Sequence, residues 1–505
     1  MRMTRVLAAV SALAIFFAVV SPAYGHAFGQ RYDLPIPLSY FLIGAAATVA
    51  LSFVVIGMFV QKGRESFSYP RLNLLRVPVV GAILSSGVAA IVVRALSVAL
   101  FLLLLLTGFI GTNRPIDNLS PTFIWIIWWV GMGYIAALLG NVWMFVNPWK
   151  ITFEWFQKIS GQSEWEEEAP FRYPEGLDVW PALLLFFLFA WSENVFTGAF
   201  RPFTLSVMVV LYSIITWAGM AAFGKHTWLR HGEAFSVLFG LFARFSPTEV
   251  RVVNRSACAR YDSECSLESE CVDCYDCYER AGKESKELNL RPFAVGLAVK
   301  RHTSVAMAAF VILTLATVSF DGFQDTETWA SWRTDLLTIT TTDVVDTLGL
   351  AIAPLLFALV YIVFCLGVRL MSGDSGDFGS LASAFVFSLV PIALAYNIAH
   401  FVTLLLIQGQ LIIPLASDPF GFGWNIFGNA DYNVNLEVIS AKAVWFISLA
   451  AIVLGHVVSV YLAHVTSLRL SDRAPNALRG QVPMLVLMVL YTVSSLWIIG
   501  QPIVN

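Results

Sequence analysis

Residues Val88 to Gly111 read VAAIVVRALSVALFLLLLLTGFIG, an unbroken apolar run carrying one charge, Arg94. A helix rises about 1.5 Å per residue and the hydrocarbon core of a bilayer is about 30 Å thick, so roughly 20 such residues cross it. Arg94 within the run demands an acidic partner, because a lone charge in lipid is costly. Nine further runs have comparable character, near 38–60, 122–146, 179–199, 203–223, 302–322, 347–370, 381–408, 441–467 and 482–500. The composition agrees: of 505 residues 58% are hydrophobic and only 13% charged, against about a quarter charged in soluble domains. The expected fold class is therefore all-α, a polytopic membrane protein of ten transmembrane helices after a signal peptide. A net charge of −3 points to no nucleic-acid partner; the bilayer is the partner that the composition implies.

The start of the chain has the parts of a targeting signal. Arg2 and Arg5 form a basic n-region, Val6 to Val20 an apolar stretch, and Ser21-Pro22-Ala23-Tyr24-Gly25 a small-residue cleavage site. Residues 1–25 are expected to be removed, leaving His26 first; the alternative is an uncleaved anchor helix. Charge asymmetry orients the rest. Loops on one side hold twenty-three Lys and Arg, including Lys62, Lys150, Lys225 and Arg469, whereas the other side holds five, Arg31, Arg114, Arg201, Arg333 and Lys442. Positive residues favour the cytoplasm, which places the mature N-terminus outside in a bacterial inner membrane. Trp228 to Phe245 is apolar but interrupted by Arg230, His231, Glu233 and Arg244, and reads as an interfacial amphipathic helix. The organisation is then a first five-helix half (26–245), a cytoplasmic loop (246–301) and a second five-helix half (302–505). Five spans on each side of the loop is also the count of inverted-repeat transporters.

That loop holds Cys258, Cys265, Cys271, Cys274 and Cys277, spaced C-x6-C-x5-C-x2-C-x2-C. Cytoplasmic thiols stay reduced, so such a cluster more often binds metal or does redox work than forms structural disulfides. Cys271, Cys274 and Cys277 bring three thiolates together, with Cys258 or Cys265 available as a fourth. Zinc takes four thiolates, and C-x2-C-x2-C also resembles iron–sulfur runs, without their usual fourth Cys-Pro. A thiol–disulfide pair and incidental cysteines are the other readings. The acidic residues around them read as a solvated surface.

Ionisable residues inside the spans are the second set of candidates. Glu193 lies nine residues before Pro202 and His400 eight before Gln408, each roughly 12–13 Å deep by helical rise. Tyr396 and Asn397 share a face with His400. His456 lies nearer the membrane centre, with His464 two turns beyond it. Glu193, His400 and His456 together suit either a divalent metal or acid–base chemistry, against a plain role as hydrogen-bonded packing residues. An N-terminal His26 also offers a two-nitrogen copper chelate. Asp321 and Asp346 read as outer-loop acids, the latter as an N-cap. DPFGFGWNIFGNADYN (418–433) reads as a lid over the outer mouth.

Several stretches resemble a known family: HAFGQRYDLPIPL (26–38), NVWMFVNPWK (141–150), SFDGF (319–323), AYNIAH (395–400), SDPFGFGWNIFG (417–428) and LGHVVSVYLAH (454–464). In this order they are similar to the bacterial membrane proteins labelled fenitrothion hydrolase. The resemblance implies cleavage of the phosphorus–aryloxy ester bond of organophosphate triesters, and carries no residue roles with it. The expectation is a metal-dependent hydrolase of apolar esters, its site of Glu193, His400 and His456 under the periplasmic surface and reached through lipid. The alternatives are a secondary transporter of 5+5 inverted topology, and a metal-binding or electron-transfer protein built on the cysteine loop.

Overall fold

All ten apolar runs form helices, and nine of these are long enough to cross a bilayer among the residues that the computed structural model describes, 25–27, 30–32, 34–60, 69–161, 169–254, 271–298, 303–372, 377–470 and 474–501. The first half supplies α1 (Leu38–Phe59), α2 (Gly87–Ile110), α3 (Leu119–Leu138), α4 (Pro148–Ile159), α5 (Trp180–Asn194), α6 (Pro202–Phe223), α7 (Lys225–His231) and α8 (Ala234–Ala243). The segment between the halves supplies α9 (Tyr275–Arg280), and the second half supplies α10 (Val305–Gln324), α11 (Thr342–Ser372), α12 (Phe378–Ser417), α13 (Ala441–Leu470) and α14 (Ala474–Ile499). The tenth expected span is α5, which has only 15 residues and gives way to a tight turn at Thr197–Phe200. The signal segment 1–24, Cys258 and Cys265 lie outside the described residues, and of residues 25–32 only the backbone hairpin of β1 (Gly25–Ala27) with β2 (Gln30–Tyr32) is described, which includes His26.

α10 is the central helix. Phe310, Val311 and Ala316 are fully buried in it, and it packs on α5, α11 and α12. The flanking helices turn apolar side chains outward, such as Val88 and Ile91 of α2 and Leu355 and Leu359 of α11, which suits lipid and not water. The two halves are not separate bundles, because α1 packs on α13 and α14. Close approach depends on small residues, since lipid supplies no hydrophobic force between helices. A Cβ on Gly455 of α13 would stand 2.4 Å from Ala395 Cβ and 2.7 Å from the Pro391 carbonyl of α12.

The segment read as an interfacial helix is instead part of the interior. Gly224, with φ of 85°, makes the left-handed turn from α6 into α7 that a side chain would oppose. Ala234 to Phe239 and Leu241 to Ala243 are then all buried. Glu233 caps α8 by accepting from the N–H of Phe235 (3.0 Å) and Ser236 (2.8 Å) and from the Tyr212 hydroxyl. His231 sits 3.3 Å from Asp178. Glu233 and His231 are thus spent on capping and pairing, and a helix apolar all round packs inside.

The described parts of the expected loop 246–301 hold regular structure. β4 (Thr248–Val252), β5 (Cys271–Val272) and β6 (Lys286–Leu290) join β3 (Leu72–Asn73) in an antiparallel sheet of order β3-β6-β4-β5. Its centre is polar. The Glu249 side chain, wholly buried, accepts from Tyr69 (2.6 Å), Arg71 (2.7 Å), Arg291 (3.0 Å) and Asn289 (3.3 Å). The sheet sits at one end of the bundle, where the Thr248 hydroxyl donates to the Leu139 carbonyl at 2.5 Å. Arg94 has the acidic partner it required: it pairs with Glu154 of α4, which also takes Lys225 at 2.9 Å. Asp346 is not an N-cap. It lies in the second turn of α11 and receives Arg333 at 2.9 Å.

Candidate functional site

At the end of the bundle opposite the sheet, a cavity of ≈ 480 Å³ opens between α3, α5, α10, α12 and α13. Four ionisable residues line it: Glu193, Asp321, Asp325 and His400. The backbone explains why each arrives there. α5 stops at Asn194, whose side-chain oxygen accepts from Gln324 at 3.1 Å; this joins the end of α5 to the end of α10 and sets Glu193 beside Asp321. α10 continues past the point where its apolar run suggested a loop, so Asp321 is helical and Asp325 is its C-cap. His400 projects from the middle of α12, its ring between Tyr396 and Phe401.

His400 Nε2 lies 2.9 Å from Asp321 Oδ2. In the tautomer whose Nε2–H donates to this carboxylate, Nδ1 is the basic nitrogen, on the far side of the ring from Asp321. A carboxylate holding an imidazole in one tautomer and stabilising its cation is the arrangement of general bases. Burial pushes the Asp325 carboxyl above its usual range and Asp321 adds to this, while His400 opposes it. The remaining wall is apolar: Trp125, Ile126, Phe200, Leu404 and Trp445. Trp125 and Ile126 come from a π-helical stretch of α3, Thr122–Trp128, a distortion frequent at functional sites.

Of the three intramembrane residues singled out in the sequence, two meet here. Glu193 and His400 line the cavity and His456 does not. Its Nδ1 lies 2.7 Å from its own helix at the Ile452 carbonyl, and its ring faces Tyr491. His464 is a structural tie, 2.7 Å from Gln481 on one side and 2.7 Å from the Val60 carbonyl on the other. Asp321 and Asp325 enter in place of His456. None of residues 418–433 lines the cavity; the loop is tied to the first half, with Thr112 N–H donating to the Phe420 carbonyl and Leu119 N–H to the Pro419 carbonyl. The four cavity residues do not converge as metal ligands do. Among the described residues, only Cys271, Cys274 and Cys277 bring three ligand atoms within 4.8 Å of one another.

That cysteine trio occupies the turn from β5 into α9. α9 is held to the bundle by the Glu279–Lys150 ion pair and by Tyr275 against Phe145. His226 of α7 lies beside it, and burial pushes its imidazole well below the usual value, with Lys225, Arg280 and Lys150 pushing the same way and Cys274 opposing. No protein-family model, no curated protein and no solved structure matches this chain.

Proposed function

We propose that this membrane protein hydrolyses small apolar esters of the aryl phosphotriester kind, with the His400–Asp321 pair as general base. The observation that carries the reading is that hydrogen-bonded pair, 2.9 Å long, on the wall of an otherwise apolar cavity at one end of the bundle. A neutral triester partitions into lipid and needs aromatic walls more than charged anchors, and Trp125, Phe200 and Trp445 supply them. His400 Nδ1 takes a proton from water, the hydroxide attacks phosphorus, and the aryloxide leaves. The resemblance noted in the sequence names the same bond. The basic-residue asymmetry supports a periplasmic mouth in a bacterial inner membrane, with the sheet in the cytoplasm. Because the cavity residues do not converge as metal ligands do, the reading assigns the activation of water to His400.

The test is release of the phenol from an aryl phosphotriester by purified protein in nanodiscs, with and without divalent metal. Wild type turns over, and His400→Ala and Asp321→Asn lower kcat about 10²- to 10⁴-fold, the range of general base catalysis. No hydrolysis by wild type under any metal condition overturns the reading.

A second reading has its own support. Glu193 and Asp321 line both the cavity and a void of ≈ 20 Å³ deeper between α3, α5, α10 and α12. Three carboxylates facing one imidazole suit a cation or proton moving inward. Cation-driven uptake into proteoliposomes, abolished by Glu193→Gln, is its test.

A further inference from the structure

The turn that carries the cysteines has the build of a metal-binding knuckle. Cys271 opens β5 opposite Val252 of β4, Cys274 stands at the N-cap of α9, and Cys277 lies in its first turn. Between the first two, Asp273 adopts φ of 55°, a left-handed conformation uncommon outside glycine. The bend is held from both sides: Asp273 N–H donates to the Val250 carbonyl at 2.8 Å, and its carboxylate receives Arg291 at 3.0 Å. The result is three sulfurs within 4.8 Å of one another, with Cys271 and Cys277 almost fully buried. Thiolates on one tetrahedral ion, at a Zn–S distance of about 2.3 Å, stand roughly 3.8 Å apart. In a four-iron cluster each cysteine binds a different iron, which spreads the sulfurs further than this group allows. The spacing therefore favours a single ion.

Three thiolates leave one tetrahedral position, and the sequence points to Cys258 or Cys265 for it. The fold offers another group. His226, the second residue of α7, places Nδ1 3.1 Å from Asp276 Oδ1, and Asp276 lies between Cys274 and Cys277. The imidazole is thus against the knuckle, within charge-interaction range of the Cys274 sulfur. Its side chain is 10% exposed, and its other nitrogen, Nε2, is buried without a hydrogen-bond partner among the described residues. Metal-bound histidines have this pattern: one nitrogen on a carboxylate, the other toward the ion. The ring lies outside the 4.8 Å sulfur group, so ligation swings it toward Cys274, and Nε2 has no bond to break.

We propose that Cys271, Cys274, Cys277 and His226 Nε2 form a Cys3His site for one zinc-type ion, which fastens the sheet to the membrane bundle. With all four positions taken by protein the site is closed, a structural centre and not a catalytic one. Its position decides its effect. His226 belongs to α7, continuous with the membrane helix α6, whereas the cysteines belong to the sheet. The ion is a cross-link between the two.

The experiment is metal analysis of the full-length protein purified in detergent, followed by cobalt substitution. Wild type holds about one zinc per chain, and Cys274→Ser and Cys277→Ser lose it. His226→Ala weakens zinc by at least the 10- to 100-fold that loss of a supporting residue costs, and Asp276→Asn falls in that range. His226→Cys restores the metal and raises the sulfur-to-cobalt charge-transfer absorbance by about a third, as a fourth thiolate requires; this rescue separates ligand loss from misfolding. Cys258→Ser and Cys265→Ser leave the metal in place. The proposal is overturned by wild type without metal, by iron with acid-labile sulfide, by His226→Ala with unchanged affinity and cobalt spectrum, or by loss of metal in Cys258→Ser or Cys265→Ser.

Discussion

Substituting Glu249 by glutamine removes one charge from the centre of the sheet and changes almost no volume. Its carboxylate receives Tyr69 and Arg291 on one oxygen and Arg71 and Asn289 on the other. Glutamine keeps one acceptor oxygen and turns an N–H2 toward donors on the other side. Arg291, itself wholly buried, retains only Asp273 as a carboxylate partner. Breaking a buried ion pair from one side costs about 3–5 kcal/mol. At about 1.4 kcal/mol per decade, local opening of β4 and β6 becomes roughly 10²- to 10³·⁵-fold more frequent. Hydrogen–deuterium exchange of the intact protein in nanodiscs reads this directly, at the amides of 248–252 and 286–290. The same assay gives a pH signature. Burial works to raise the Glu249 value, but the Tyr69 hydroxyl and the Arg291 and Arg71 charges outweigh it and hold the carboxyl below 4.5. A carboxyl depressed in the folded state contributes full stability above its unfolded value and loses it as pH falls through the folded one. Wild-type protection is therefore flat in this respect above pH 4.5 and declines below it, and Glu249→Gln removes that decline. Unchanged protection of β4 and β6 in the variant would refute the account of the sheet as built on this carboxylate.

His456→Ala leaves phosphotriester turnover at the wild-type level while lowering the melting temperature in detergent, because the ring is packed on Tyr491 and not in the cavity; loss of turnover with unchanged binding would return His456 to the site. Gly455→Ala costs about 1–3 kcal/mol as an overpacked crossing of α12 and α13, read as a lower melting temperature; an unchanged melting temperature means that the helices are not in close contact there. Gly224→Ala strains the left-handed turn into α7 by about 1–2 kcal/mol and, by tilting His226, lowers zinc affinity; retention of both stability and zinc refutes the role of that turn.

The membrane helices were legible because a bilayer leaves one solution for a long apolar run. Arg94 announced a partner, though not that Glu154 would be it. What the sequence concealed was pairing across distance. Asp321 and His400 are 79 positions apart, and SFDGF read as a loop because glycine and acid follow an apolar run, whereas α10 extends one turn further. Ala234–Ala243 carried a usable signal that was misjudged: only Ser236 interrupts its apolar character, so no wet face exists for it to turn to water. Strands β4 (TEVRV) and β6 (KELNL) alternate with the period of two that sheets require, but each is only five residues long and they stand far apart in the chain. His226 gave no sign at all, since its relation to the cysteines exists only after α7 folds back.

The short helix α5 has a consequence for the membrane itself. Its 15 residues span about 22 Å, well under the roughly 30 Å of a hydrocarbon core. Lipids beside it must compress, or the polar turn that follows must sink below the headgroups, and either brings water toward its final residues. Glu193 is the penultimate one. One added helical turn would move this carboxylate about 5.4 Å, away from Asp321. The length of a single helix fixes how deep in the membrane polar chemistry can take place.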